Sequence, residues 1–114
     1  MDSILVSIKK LLGIAADYTH FDPDIIMHIN SAFSILTQLG VGPPEGFRIE
    51  DNAKTWNDFI GDATRIDAVK SYIYLKVGLM FDPPTSAAVL SAKERQISEL
   101  EWRLNVAAEQ DSTQ

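Results

Sequence analysis

The sequence predicts an all-α protein, a compact bundle of four to five helices with a long loop between the second and third. Apolar residues recur at helical spacing through several stretches, each opened by a capping residue or closed by glycine or proline. The one stretch that reads as extended, Phe47-Arg48-Ile49, is short and lies inside a turn-rich segment. Residues 62–84 are apolar around most of a helix's girth, the pattern of a helix surrounded by other elements.

The first helix is expected over Ser3–Leu12, with Ile4, Leu5, Ile8, Leu11 and Leu12 on one face. Lys9 and Lys10 suit the negative end of its dipole, and Gly13 suits the residue after the C-cap. Two lysines make too poor a basic face for a membrane anchor, so this helix is expected to pack on the domain. After a connector, Phe21-Asp22-Pro23-Asp24 opens the second helix, with Asp22 as N-cap, Pro23 at N1 and Phe21 stapled to Ile26. It runs to about Leu39 and ends at Gly40. Ile25, Ile29, Ala32, Phe33, Leu36 and Leu39 share its core face, while Asn30, Ser34, Thr37 and Gln38 lie opposite.

Val41–Ala53 is the long irregular piece, rich in turn formers (Gly42-Pro43-Pro44, Glu45-Gly46). Its glycines do not make a phosphate loop: the lysine, the Ser/Thr and the preceding strand are missing, and the prolines remove backbone donors. Thr55 then caps a short helix that offers Trp56, Phe59 and Ile60 as a hydrophobic plug. Thr64 and Asp67 resemble a capping box for the central helix, which Asp82-Pro83-Pro84 stops. Ile66, Val69, Ile73, Val77, Met80 and Phe81 form one of its faces; Ala68, Tyr72, Leu75 and Leu79 form a second. Thr85 or Ser86 caps the last helix, which ends near Ala108 and carries a stripe of Val89, Leu90, Ile97, Leu100, Leu104 and Ala107. Trp102 and Val106 fall opposite that stripe. Residues 1–109 are expected to form one domain and 110–114 a flexible polar tail.

Composition narrows the function classes. A chain of 114 residues with 46% hydrophobic and 23% charged side chains can build its own core. A formal charge of −6 opposes non-specific binding to DNA or acidic membranes. With no cysteine, there is no disulfide, thiolate metal site or thiol nucleophile. The N-terminal apolar run is too short to span a bilayer, and its lysines follow apolar residues where a signal peptide's precede them, so a cytosolic product is expected. His28, at the margin of the second helix's core face, and His20 lack the carboxylate spacing of a zinc site. Asp58 and Asp62 read as solvated caps, since no buried pocket or opposing histidine makes them an acid pair. No catalytic motif, cofactor site or metal site follows from the residues, which on their own describe a small helical interaction module.

The order of the pieces adds to this. IKKLLGI is followed by FDPDIIMHINSAFSILTQLGVG, a GF-x-I loop, TWNDFI, VKSYIYLKVGLMFDPP and a charged helix containing ELEWRLN. Over Ser3–Ala108 this resembles the small head–tail connector, or head-completion adaptor, proteins of long-tailed bacteriophages. Thr55-Trp56 and Val69–Pro84 are its most telling parts. The resemblance implies a non-catalytic structural protein of the virion, assembled in the host cytoplasm. It implies a homo-oligomeric ring, taken as dodecameric, that docks on the portal and presents a platform to the next stopper or tail-completion protein. DNA is only passing cargo, and no cofactor or membrane is involved.

A head-to-tail ring needs two unlike surfaces on each subunit. Tyr72, Leu75 and Leu79 on the central helix, with Trp102 and Val106 on the last, are the candidate subunit interface. Pro43, Pro44, Glu45, Phe47 and Arg48 are the candidate contact with the portal or another partner. The loop and the polar tail are expected to order only on that contact. Two other readings compete. A host regulatory module would bind a partner through the Trp102 face and stay a monomer or dimer. A small enzyme would use His28 with nearby carboxylates and lose activity on its replacement.

Overall fold

A computed structural model describes residues 3–61 and 63–112, and the side chains of all of these except 63, 64, 111 and 112. Five helices follow one another, α1 (Ile4–Leu11), α2 (Asp22–Gln38), α3 (Trp56–Phe59), α4 (Ala63–Phe81) and α5 (Ala87–Ser112), with no strand among the described residues. The ends of the first helices follow local chemistry. The Ser3 hydroxyl accepts the Val6 N–H at 3.3 Å. Gly13 turns α1 off at φ +81°, and the next N–H, that of Ile14, donates back to the Lys9 carbonyl at 2.8 Å. Gly40 does the same for α2 at φ +83°, with Val41 N–H on the Leu36 carbonyl at 2.9 Å. Thr55 and Asp58 form a reciprocal capping box at α3. Ser86, the second of the two expected caps, accepts the Val89 N–H at α5.

Several boundaries differ from the sequence reading. α2 begins at Asp22 with Phe21 in the cap position, because the Asp22 carboxylate turns away from the helix end toward Lys9. Phe21 meets Phe81 edge-on, ring centroids 5.2 Å apart, tying the start of α2 to the end of α4. α4 begins at Ala63, so Thr64 lies inside the helix and does not cap it; position 62, the other half of the expected acid pair, is outside the described residues. α5 continues to Ser112, past the expected end at Ala108, so residues 109–112 are helical and not part of a tail.

α4 is the hub. It packs against α2 on one side and α5 on the other, with α1 touching both α2 and α4. Val69, Tyr72, Ile73 and Val77 of α4 are buried against Ile25, Ile29, Phe33 and Leu36 of α2, Ile4 and Ile8 of α1, and Ile97 and Leu104 of α5. Each fully buried Ile, Leu or Phe contributes roughly 1.5–3 kcal/mol of transfer free energy, so this shared cluster holds the bundle. Met80, expected in the core, is exposed, and so is Val89 from the α5 stripe. Both lie where α4 and α5 leave the rest of the bundle at the 82–86 turn.

Loop 41–53 contains no strand. The extended rung expected at Phe47-Arg48-Ile49 is instead held by one side chain: Asn30 Nδ2 donates to the Ile49 carbonyl at 2.9 Å and its Oδ1 accepts the Ile49 N–H at 2.8 Å. An amide on α2 thus supplies the donor and acceptor that a neighbouring strand would. Phe47 closes the loop over Phe33 and Phe59, at centroid distances of 5.0 and 5.3 Å. The loop is held in the lone chain, contrary to the expectation that it orders only on contact. An isolated antiparallel bridge pairs Ser3 with Thr55, and with the Trp56 indole donating to Ser7 Oγ at 3.2 Å it joins α3 to α1.

Candidate interaction surfaces

Tyr72 does not belong to a free surface. It is fully buried inside the chain, and its hydroxyl donates to Glu101 Oε2 of α5 at 2.7 Å. Burial first, and then the neighbouring Glu101 carboxylate, push the phenol well above the usual tyrosine range. The apolar second face of α4 is therefore largely the seat of α5, which corrects the assignment of Tyr72 to a subunit interface. Leu75 and Leu79 are half-buried. Leu75 opens into a groove of about 460 Å³ between α4 and α5, with Tyr74, Leu100 and Arg103 around it.

The outer face of α5 is a surface in the full sense. Trp102 is 67% exposed, and Val106, one turn on, is half-buried. Ala88, Ala92 and Arg95 continue this face toward the N-terminal end and are all exposed. Glu99 and Arg103 pair across one turn at 2.7 Å, fully in solvent, a contact that contributes little to stability. From Ala87 to Gln96 only Leu90 and Lys93 are even partly covered.

The second surface lies on α2 and the loop. A groove of about 740 Å³ runs between the outward side of α2 and residues 45–48, with Ile26, Met27 and Phe47 as its apolar lining and Glu45 and Arg48 on its rim. Met27 is 58% exposed. Of the expected contact residues, Pro44, Glu45 and Arg48 are exposed, Pro43 is partly covered, and Phe47 is committed to the aromatic cluster. An adjoining hollow shares Pro23 and Ile26 and adds Glu50 and Asp51. With Glu45, these give the groove and hollow three exposed carboxylates against Arg48.

His28 lies in a shallow hollow with Asp24, Met80 and Asp82. Among the described residues no group of three or more His, Asp or Glu side chains is placed to hold a metal. Asp58 is held below the usual carboxylate range, chiefly by the Thr55 N–H, which marks a cap and not a catalytic acid. No helix of the described residues is long and apolar enough to cross a membrane.

Residue-type reasoning missed three positions. Asn30 was read as part of a solvated face, and Met27 was not singled out. Lys9 was assigned to the helix dipole, yet it is 1% exposed, with Nζ at 2.8 Å from Asp22 Oδ1 and donating to the carbonyls of Tyr18 (2.7 Å) and Ala16 (3.1 Å). Periodicity carried no signal for Lys9: on the helical wheel it lies just outside one edge of the arc of Ile4, Ile8, Leu12 and Leu5 and Leu11 just outside the other, yet Lys9 is buried and Leu11 exposed.

Comparison with known proteins gives one result: a family model described as phage connector protein matches residues 4–111. No curated protein and no solved structure matches.

Proposed function

Since the chain belongs to the phage connector protein family, a family of structural virion proteins, we propose that it is a ring-forming subunit of the head–tail connector. In this reading copies of the chain, twelve in the finished virion, join head to tail into a ring. The ring docks on the portal of the DNA-filled head and receives the next stopper or tail-completion protein. The chain catalyses nothing, and DNA passes through without being bound. The observation that carries the reading is the family match, which spans nearly every described residue.

The surfaces are consistent with such a role. The outer face of α5, with Trp102 and Val106, is the subunit interface, and Leu75 borders it through the α4–α5 groove, with half-buried Leu79 one turn further along α4. Pro43, Pro44, Glu45 and Arg48 meet a partner, with Phe47 setting the loop's shape from beneath. A heterologous ring requires two such unlike patches. A net charge of −6 would keep the conduit wall from holding DNA phosphates; a basic channel face in the assembled ring would refute that point. Electron microscopy of the purified protein with the portal of the same phage tests the whole reading. Rings seated on the portal are expected. Persistent monomers that do not bind it would overturn the proposal.

A further inference from the structure

We infer that α5 is a releasable strap: it lifts as one unit from the body formed by α1 to α4, pivoting on residues 82–86, while that body stays folded. The device belongs to the single chain and does not rest on the ring.

α5 is long but thinly seated. Of its 26 residues only Ile97 and Leu104 are buried among the described side chains, with Leu100 half-covered, whereas α2 buries five of 17. The core shared by α1, α2 and α4, with Ile8, Phe33, Ile73 and Val77 fully buried, is built from those helices. What α5 uses in place of apolar area is hydrogen bonds to the body, gathered between 101 and 107. The Tyr72 hydroxyl donates to Glu101 Oε2 at 2.7 Å, Asn105 Nδ2 to the Leu39 carbonyl at 3.1 Å, and Arg65 to the Ala107 carbonyl at 3.2 Å. Water replaces such partners once the helix lifts, so each contributes modestly, while buried apolar area has no substitute in water. From Ala87 to Gln96 nothing is buried, and of the pivot Asp82-Pro83-Pro84-Thr85-Ser86 only Pro84 is partly covered. Its two prolines have no N–H to bond to the body. Loss of the 97–107 seat removes the nucleus of the whole helix, so the first half leaves with the second. Release uncovers Tyr72, which is fully buried only while α5 is down, together with the Leu75 side of α4.

Native-state hydrogen exchange read by NMR tests this. In the wild type, α5 amides from Leu90 to Ala107 are expected to share one opening. Their protection should lie at least about tenfold below that of the α2 core amides at Ile29 and Phe33, an opening free energy about 1.4 kcal/mol lower. Asn30→Ala loosens the body but not the seat of α5, so α2 protection should fall while α5 protection stays. A lock gives the converse test. The chain has no cysteine, and a Cβ built at Gly40 falls 3.4 Å from the Ala108 Cβ, close to the roughly 3.5–4.5 Å of a disulfide. Gly40→Cys/Ala108→Cys thus fastens the far end of α5 to the end of α2. Oxidised and reduced forms of the same protein share any strain at position 40, so only the lock differs between them. Oxidation should raise α5 protection to that of α2. Equal protection of α5 and α2 in the wild type would overturn the strap, and so would a graded loss toward the C-terminus without a common opening. α5 amides that follow Asn30→Ala as closely as α2, or that ignore the disulfide, would overturn it as well.

Discussion

Replacing Lys9 with methionine isolates the buried cation that ties α1 to the connector and the start of α2. Methionine keeps most of the side chain's length and apolar volume, so the change removes the ammonium and little packing. What is lost is an ion pair at 2.8 Å to Asp22 and two hydrogen bonds, to the Tyr18 and Ala16 carbonyls. Removing one partner of a buried pair costs about 3–5 kcal/mol, because the other charge stays behind. Asp22 retains 21% exposure, so water reaches its carboxylate and the lower end applies, about 3 kcal/mol. For a domain of this size that is a fall in Tm of about 12 °C. The double variant Lys9→Met/Asp22→Asn removes the stranded charge, and the two costs should fall short of additivity by about 1–2 kcal/mol. Urea unfolding of the four proteins of this cycle measures both quantities. A loss below about 1 kcal/mol for Lys9→Met, or strictly additive single effects, would show that the buried ammonium does not organise the 12–22 connector.

The loop, its anchor and the α4–α5 seam make three further predictions. Gly42 sits at φ +84°, where a Cβ would run into the Phe59 ring, so Gly42→Ala should cost about 3 kcal/mol in thermal unfolding. Gly46, at φ +98° with open space around it, should cost only about 1 kcal/mol on the same change. Asn30→Ala strands both backbone groups of Ile49 and should destabilise by about 2 kcal/mol; hydrogen exchange at the Ile49 amide should accelerate, and unchanged exchange would refute the anchoring. Tyr72→Phe should cost about 1.5 kcal/mol near neutral pH, the worth of a hydrogen bond to a charged acceptor. Because the folded phenol's pKa is raised, Tyr72 contributes fully below about pH 10, and its contribution declines above it as the unfolded tyrosine ionises. The variant's stability should therefore fall less steeply than the wild type's above pH 10 in urea titrations.

What was legible in the sequence was local. Gly13, Gly40, Thr55 and Ser86 act within a turn of their own position, and all four work as the chain order predicts. The core face of α2 and most of that of α1 were legible for the same reason, since periodicity reports which residues avoid water, although Leu11 of α1 is exposed and Lys9 buried. It does not report what covers them. Tyr72 and Trp102 look alike on that basis, each an aromatic residue off the main stripe of its helix. Yet one is sealed by α5 of its own chain and hydrogen-bonded to Glu101, and the other faces solvent. The Asn30 clamp was invisible because its partner lies 19 residues away in a loop with no periodic signal. The end of α5 was set too early because the polar residues after Ala108 were read as a tail, while the helix runs on through them.

The two surfaces share a physical property, and for the loop the sequence reading had reversed it. A flexible loop and tail that order on contact would spend part of their binding free energy on ordering. Here the loop is already held by the Asn30 amide and the Phe33–Phe47–Phe59 cluster. The exposed first half of α5 is already helical for a different reason. Its second half, fixed by Ile97, Leu104 and the Tyr72–Glu101 bond, supplies the costly nucleus, and each residue toward Ala87 then adds to an existing helix. Ala87, Ala88 and Ala92 favour that extension, though solvent surrounds them. Both surfaces are thus ordered in the lone chain, so in the proposed connector role binding free energy would go into contact and not into ordering. In the proposed connector, that arrangement would give subunits that are stable alone and still associate readily when concentrated on a portal.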